Sequence, residues 1–155
     1  MLENNVKEII RYVTDGVRAV CRQLVEQRPA IGYLFILREH QEGEPEVVLS
    51  TPIGESPDAT PEQWSRYRRN AREKAERLHR LPLHLNSWQS RSEQHNRFGG
   101  AIRVGAYILS FSGLPQEEDE KQMLLLALRL ELLRDLDEAR SVASPPALAI
   151  LNFRP

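Results

Sequence analysis

A single cysteine, Cys21, stands in a chain of 155 residues, which excludes an internal disulfide and any cysteine-built metal cluster. Its place on an apolar helical face reads as a buried, inert thiol rather than a nucleophile. Neither charge sign is in excess: 21 Lys and Arg against 22 Asp and Glu leave a net charge of −1, so nothing global points to nucleic acid or an anionic membrane. No apolar run is long enough for a transmembrane helix, and MLENNVKEII has no basic leader-like start; the expectation is a cytoplasmic protein. Internal repeats and low-complexity segments are missing. So are the P-loop, the dinucleotide fingerprint, the Gly-x-Ser-x-Gly elbow, HExxH and the EF-hand loop. No catalytic residue and no metal set is assigned.

What remains is the composition and size of one ordinary globular domain spanning 1–155. Val6, Ile9, Ile10, Val13, Val17, Val20, Cys21 and Leu24 form one helical stripe, predicting a helix over 5–27. IGYLFIL is apolar on both faces and predicts a central strand over 31–38, with EVVLS returning as its partner over 45–50. Thr60, Pro61 and Gln63 make a capping-box entry to a helix over 61–80. That helix carries Arg66, Arg68, Arg69, Arg72, Lys74, Arg77 and Arg80 against Glu62, Glu73 and Glu76. The interspersed glutamates favour a solvated or salt-bridged face over a nucleic-acid surface. Leu81, Leu83 and Leu85 alternate as a short strand would. The histidines, His40, His79, His84 and His95, lack metal-ligand spacing.

The segment 98–136 organises the rest. Ile102 to Phe111 suits a pleated strand pair, expected at 100–104 and 106–112, with Gly99, Gly100 and Gly105 where the backbone bends. Ser112-Gly113 breaks the strand, Pro115 opens a helix expected over 115–139, and Glu117 to Glu120 complement its dipole. The separation of helices from strand pairs predicts an α+β domain, an antiparallel sheet flanked by helices. This segment resembles the GlcG/HbpS-like "heme-degrading domain" family. SGLPQEEDE after a Gly-Gly strand is similar to the SGLPQEED run of that family's uncharacterised branch. Pro61-Glu62-Gln63-Trp64 followed by Arg68-Arg69-Asn70 resembles a second block, in the same order. The likeness spans about 30–136. Gly99-Gly100-Ala101-Ile102 departs from the branch's Gly-Gly-Ser-Phe-Pro.

The resemblance implies a small profilin-like or GlcG-like oligomeric domain that binds a small molecule or a partner, with heme or a related tetrapyrrole as the cofactor in some members. A heme-handling enzyme and a non-enzymatic interaction module are the alternatives. The candidate ligand residues are Arg68, Arg69, Asn70, Gly99, Gly100, Arg103, Ser112 and Gly113: helix-start N–H groups at a glycine that lets a ligand approach, with cations nearby. At least one of Arg69, through its fork, and Asn70 is expected to reach the Gly99–Gly100 strand or the Ser112–Gly113 turn. Leu124, Leu128, Leu132 and Leu136 recur every four residues beside Met123, Leu126, Leu130 and Leu133. A stripe that wide predicts homo-oligomerisation through the C-terminal helix, with the chain's own first helix or its ALAIL tail as the competing cover.

Overall fold

The structure is a computed structural model that describes residues 2–151. A 3₁₀ turn, Leu2–Asn5, leads into helix α1, Val6–Gln23. Strands β1, Gly32–Arg38, and β2, Glu46–Ile53, follow; helix α2, Pro61–Arg80, comes next. After two 3₁₀ turns come β3, Ala101–Val104, and β4, Tyr107–Ser112. Three helices close the described chain: α3, Gln116–Arg129, α4, Leu136–Val142, and α5, Pro145–Leu151. The strands make one antiparallel sheet in the order β2-β1-β4-β3, so the chain is the α+β domain expected, with helices on both faces.

The alternation of β1 explains its doubly apolar sequence. Leu34 and Ile36 join the larger core with Ile102, Leu109, Phe111, α1 and α3, whereas Tyr33, Phe35 and Leu37 pack on Ala71, Ala75 and Leu78 of α2. The capping box of α2 is formed: Gln63 N–H donates to Thr60 Oγ1 at 3.2 Å and Thr60 N–H to Gln63 Oε1 at 3.0 Å. β2 runs on to Ile53, three residues past the expected end, because an edge strand accommodates Pro52, which pairs with Tyr33. α1 stops at Gln23, where Leu24 turns extended. Leu81, Leu83 and Leu85 form no strand: His84 N–H closes a turn on Leu81 O, and only Asn86 bridges to Ile102.

The expected single helix over 115–139 is corrected. α3 ends at Arg129 in a Schellman motif: Leu132 N–H bonds Ala127 O at 2.9 Å and Glu131 N–H bonds Leu128 O at 3.1 Å. Glu131 takes the left-handed conformation at φ 60°. Asp135 then caps α4 by accepting Glu138 N–H at 2.9 Å. The apolar tail folds back as α5 onto α3, with Ala147 and Leu151 buried; residues 152–155 of that tail lie outside the described residues.

Candidate functional site

The Ser112–Gly113 turn lies where β4 hands over to α3, and α2 crosses beside it. Gly113, at φ 154°, packs so closely on β1 that a Cβ would stand 2.4 Å from Ile31 O, so the position admits only glycine. Arg28, in the loop after α1, donates from Nη1 to Gly113 O at 3.1 Å and fixes the turn from outside. Between these elements opens a cleft of about 620 Å³ whose walls include Arg28, Arg66, Tyr67, Asn70, Phe98, Ser112, Gly113 and Gln116.

Its floor is an ion pair. Lys74, 2 % exposed, donates to Asp119 Oδ2 at 3.0 Å and to Phe111 O at 2.8 Å. Asp119 Oδ1 accepts the Leu114 N–H at 2.8 Å, so one carboxylate ties α2 to the turn and to α3. Gly100, at φ 125°, makes room for the pair: a Cβ there would lie 2.6 Å from Lys74 Nζ. Burial pushes the Asp119 carboxyl up to about 7, against the opposing pull of Lys74 and the Leu114 N–H. Phe111 O and Asp119 Oδ2 account for two of the three ammonium protons. No described residue accepts the third.

The structure divides the sequence-derived candidates. Asn70, Ser112 and Gly113 line the cleft. Gly99 and Gly100 stand behind it; Gly99 N–H donates to Gln116 Oε1 at 2.8 Å. Arg69 is exposed, and Arg68 lies instead along a separate groove with Tyr33 and Trp64. The expected fork onto the glycine strand is made by Arg77, not Arg69: its guanidinium donates to Phe98 O at 2.6 Å and Ser90 O at 3.0 Å. Arg103 is drawn away from the turn. It pairs with Glu39 at 2.8 Å and donates to Leu78 O at 2.8 Å, closing the C-terminal end of α2. His79 Nδ1 lies 2.8 Å from the same Glu39. Burial raises the Glu39 carboxyl, but the bonds from Arg103 and His79 prevail and hold it below the usual range.

Lys74, Asp119, Arg28 and Tyr67 were not among the residues the sequence singled out for the site. The signal for Lys74 was its position: it falls three residues after Ala71 and four before Leu78, inside the apolar stripe of α2. A lysine there must find a buried partner.

The leucine row is also redistributed. Leu124 is fully buried, Leu128 and Leu132 are half-buried against the same core, and Leu136 is half-buried at the start of α4. Because α3 ends at Arg129, Leu132 and Leu136 belong to the following turn and to α4 rather than to one stripe. α1, α4 and α5 pack around α3, so the premise of an open second stripe is corrected.

A heme would need an axial His, Cys, Met or Tyr donor and an apolar enclosure. Of the cleft-lining residues only Tyr67 belongs to that set, and the floor is a charged pair. His40 is exposed, His79 engages Glu39, and His95 Nδ1 meets Ser92 Oγ at 2.8 Å. The cleft does not fit a heme. No helix among the described residues is long and apolar enough to cross a membrane. Compared with protein-family models, with curated proteins and with solved structures, the chain matches none.

Proposed function

We propose that this chain is a cytoplasmic binding domain for a small polar molecule, held in the cleft between α2 and the 112–119 segment. The observation that carries the reading is the Lys74–Asp119 pair, almost solvent-free yet forming the floor of an open cleft. An ammonium whose third proton no described residue accepts is, where a guest reaches it, a strong charge-assisted donor in a low-dielectric setting. Asn70 adds an amide, and Tyr67 and Phe98 offer ring faces against which a guest can pack. The 112–120 run, part of the 30–136 stretch that resembles GlcG/HbpS-like domains, forms one wall of the cleft, and this reading keeps that resemblance without heme. The packing of α1, α4 and α5 against α3 favours this reading over an interaction module built on the leucine row.

An amide-resolved NMR screen of polar and zwitterionic fragments tests the proposal. The expected outcome is saturable shifts concentrated at 66–74 and 112–119, weakened in Asn70→Ala. Hits scattered over the surface, or hits indifferent to Asn70→Ala, would overturn it. In a heme arm the Soret band is expected to remain that of free heme; a stoichiometric sharpened band would restore the tetrapyrrole reading.

A further inference from the structure

Next to the cleft, and sharing Gln27 and Arg28 with it, lies a second groove of about 520 Å³. Its walls are Arg18, Cys21, Arg22, Leu24, Gln27, Arg28 and Ala30. Three of these are arginines and none is a carboxylate. Arg18 and Arg22 are one helical turn apart on α1 and so share a face, where like charges repel by a few tenths of a kcal/mol unless an anion lies between them. Neither makes an ion pair among the described residues, although Asp15 and Glu26 are near in sequence; Arg72, Arg77 and Arg103 all pair with glutamates. Arg28 makes one hydrogen bond, to Gly113 O, so the rest of its fork has donors left over, although its charge also acts on the Asp119 carboxylate of the cleft. Cys21, Leu24 and Ala30 give the groove an apolar base, and guanidinium–anion contacts strengthen as water is displaced from such a base.

Charge is segregated along the two hollows. The acidic wall residues, Glu26, Glu117 and Asp119, belong to the cleft, where Arg28, Arg66 and Lys74 face them. The charged residues of the groove are all cations. We propose that the Arg18–Arg22–Arg28 groove binds a phosphate or diphosphate group, the anionic end of a ligand whose polar body occupies the cleft. Planar guanidinium forks match tetrahedral oxyanions bidentately, and three of them suit a multiply charged group. The placement of the body rests on the binding reading above; the anion site does not and is tested alone.

The probe is inorganic pyrophosphate, titrated into the full chain at low ionic strength while backbone and arginine Nε–H resonances are followed. Saturable shifts are expected at 18–30. Arg22→Gln and Arg28→Gln should each weaken binding by on the order of tenfold, the loss of one charge-assisted contact. Arg69→Gln, equally exposed on another helix, should leave it unchanged. Arg22 makes no hydrogen bond or ion pair among the described residues and is exposed, so its variant keeps the test valid if Arg28→Gln perturbs the turn. Shifts that rise linearly, that fall equally in Arg69→Gln, or that are stronger with citrate than with pyrophosphate would overturn the assignment. Fragments that shift 66–74 while pyrophosphate leaves 18–30 unmoved would sink this inference alone, and the reverse pattern would sink the cleft reading alone.

Discussion

Lys74 and Asp119 hold one another at 3.0 Å with side chains 2 % and 3 % exposed, so neither charge has water to fall back on. Removing one partner of a buried pair costs more than the pair contributes, because the survivor stays buried and uncompensated. Lys74→Met is therefore expected to lose about 3–5 kcal/mol at pH 8, read from urea unfolding. Adding Asp119→Asn to it should recover part of the loss, since an amide still accepts the Leu114 N–H without carrying charge. A single-variant loss of only about 1 kcal/mol, that of an exposed pair, would mean that water reaches the carboxylate. At this scale the sequence was legible where backbone chemistry is local. The Ser112–Gly113 break and the capping box at Thr60 could both be read along the chain. The Lys74–Asp119 contact joins residues 45 positions apart, and no local preference announces which buried cation meets which carboxylate. Arg69 and Arg77 are eight positions apart on one helix, and only the rotation of α2 on the sheet decides which of them forks onto the glycine strand.

The break after Arg129 is the element whose character the sequence concealed. Leu124 to Leu136 reads as continuous helix because no Gly or Pro interrupts it, and the usual glycine of a Schellman motif is here Glu131 at φ 60°. A side chain in that conformation is strained against its own backbone. Glu131→Gly is accordingly expected to stabilise the fold by about 0.5–1 kcal/mol, the relief of left-handed strain less the extra freedom of glycine when unfolded. Thermal unfolding at fixed pH checks it, and a destabilised variant would mean that the Glu131 side chain contributes more than its backbone costs. One local sign of the break was present. Asp135 with Glu138 three residues on is the pattern of a new N-terminus, and it is where α4 begins. The leucines from 124 to 136 are too many for one sheet contact. They are consumed by a helix that turns and by a tail that returns, an arrangement that periodicity along a single axis does not express.

For the molecule as a whole, the sheet and its helical cover follow from alternation and stripe patterns. The closure of the larger core depends on a polar contact that those patterns do not contain. Glu120, 1 % exposed on α3, accepts the Ser144 N–H at 2.7 Å. Ser144 in turn starts α5, with Ala147 N–H on its Oγ at 3.3 Å and Leu148 N–H on its O at 2.8 Å. Burial pushes the Glu120 carboxyl from its ordinary 4.5 up to about 7, opposed by the bonds from Ser144 and by the more distant Lys74. Asp119 is raised to about 7 for the same first reason. Between pH 4.5 and 7 the folded chain therefore holds protons that the unfolded chain has released. Stability from these groups is complete below the unfolded value and declines as pH rises through the folded one. A shift from 4.5 to about 7 corresponds to at most about 3 kcal/mol for Glu120. Glu39, held low by Arg103 and His79, acts in the opposite sense and loses its contribution only as the pH drops below the ordinary carboxylate range. The expected curve has its maximum near pH 5 and a fall toward pH 8, unlike a protein governed by exposed carboxylates. Glu120→Gln keeps an acceptor for Ser144 but cannot ionise, so it should remove roughly half of the fall between pH 5 and 8 while leaving the acid limb unchanged. Chemical denaturation across that range decides the matter: a wild-type profile that climbs toward pH 8, or a Glu120→Gln profile as steep as wild type, would show that Glu120 titrates in the folded chain as it does when unfolded.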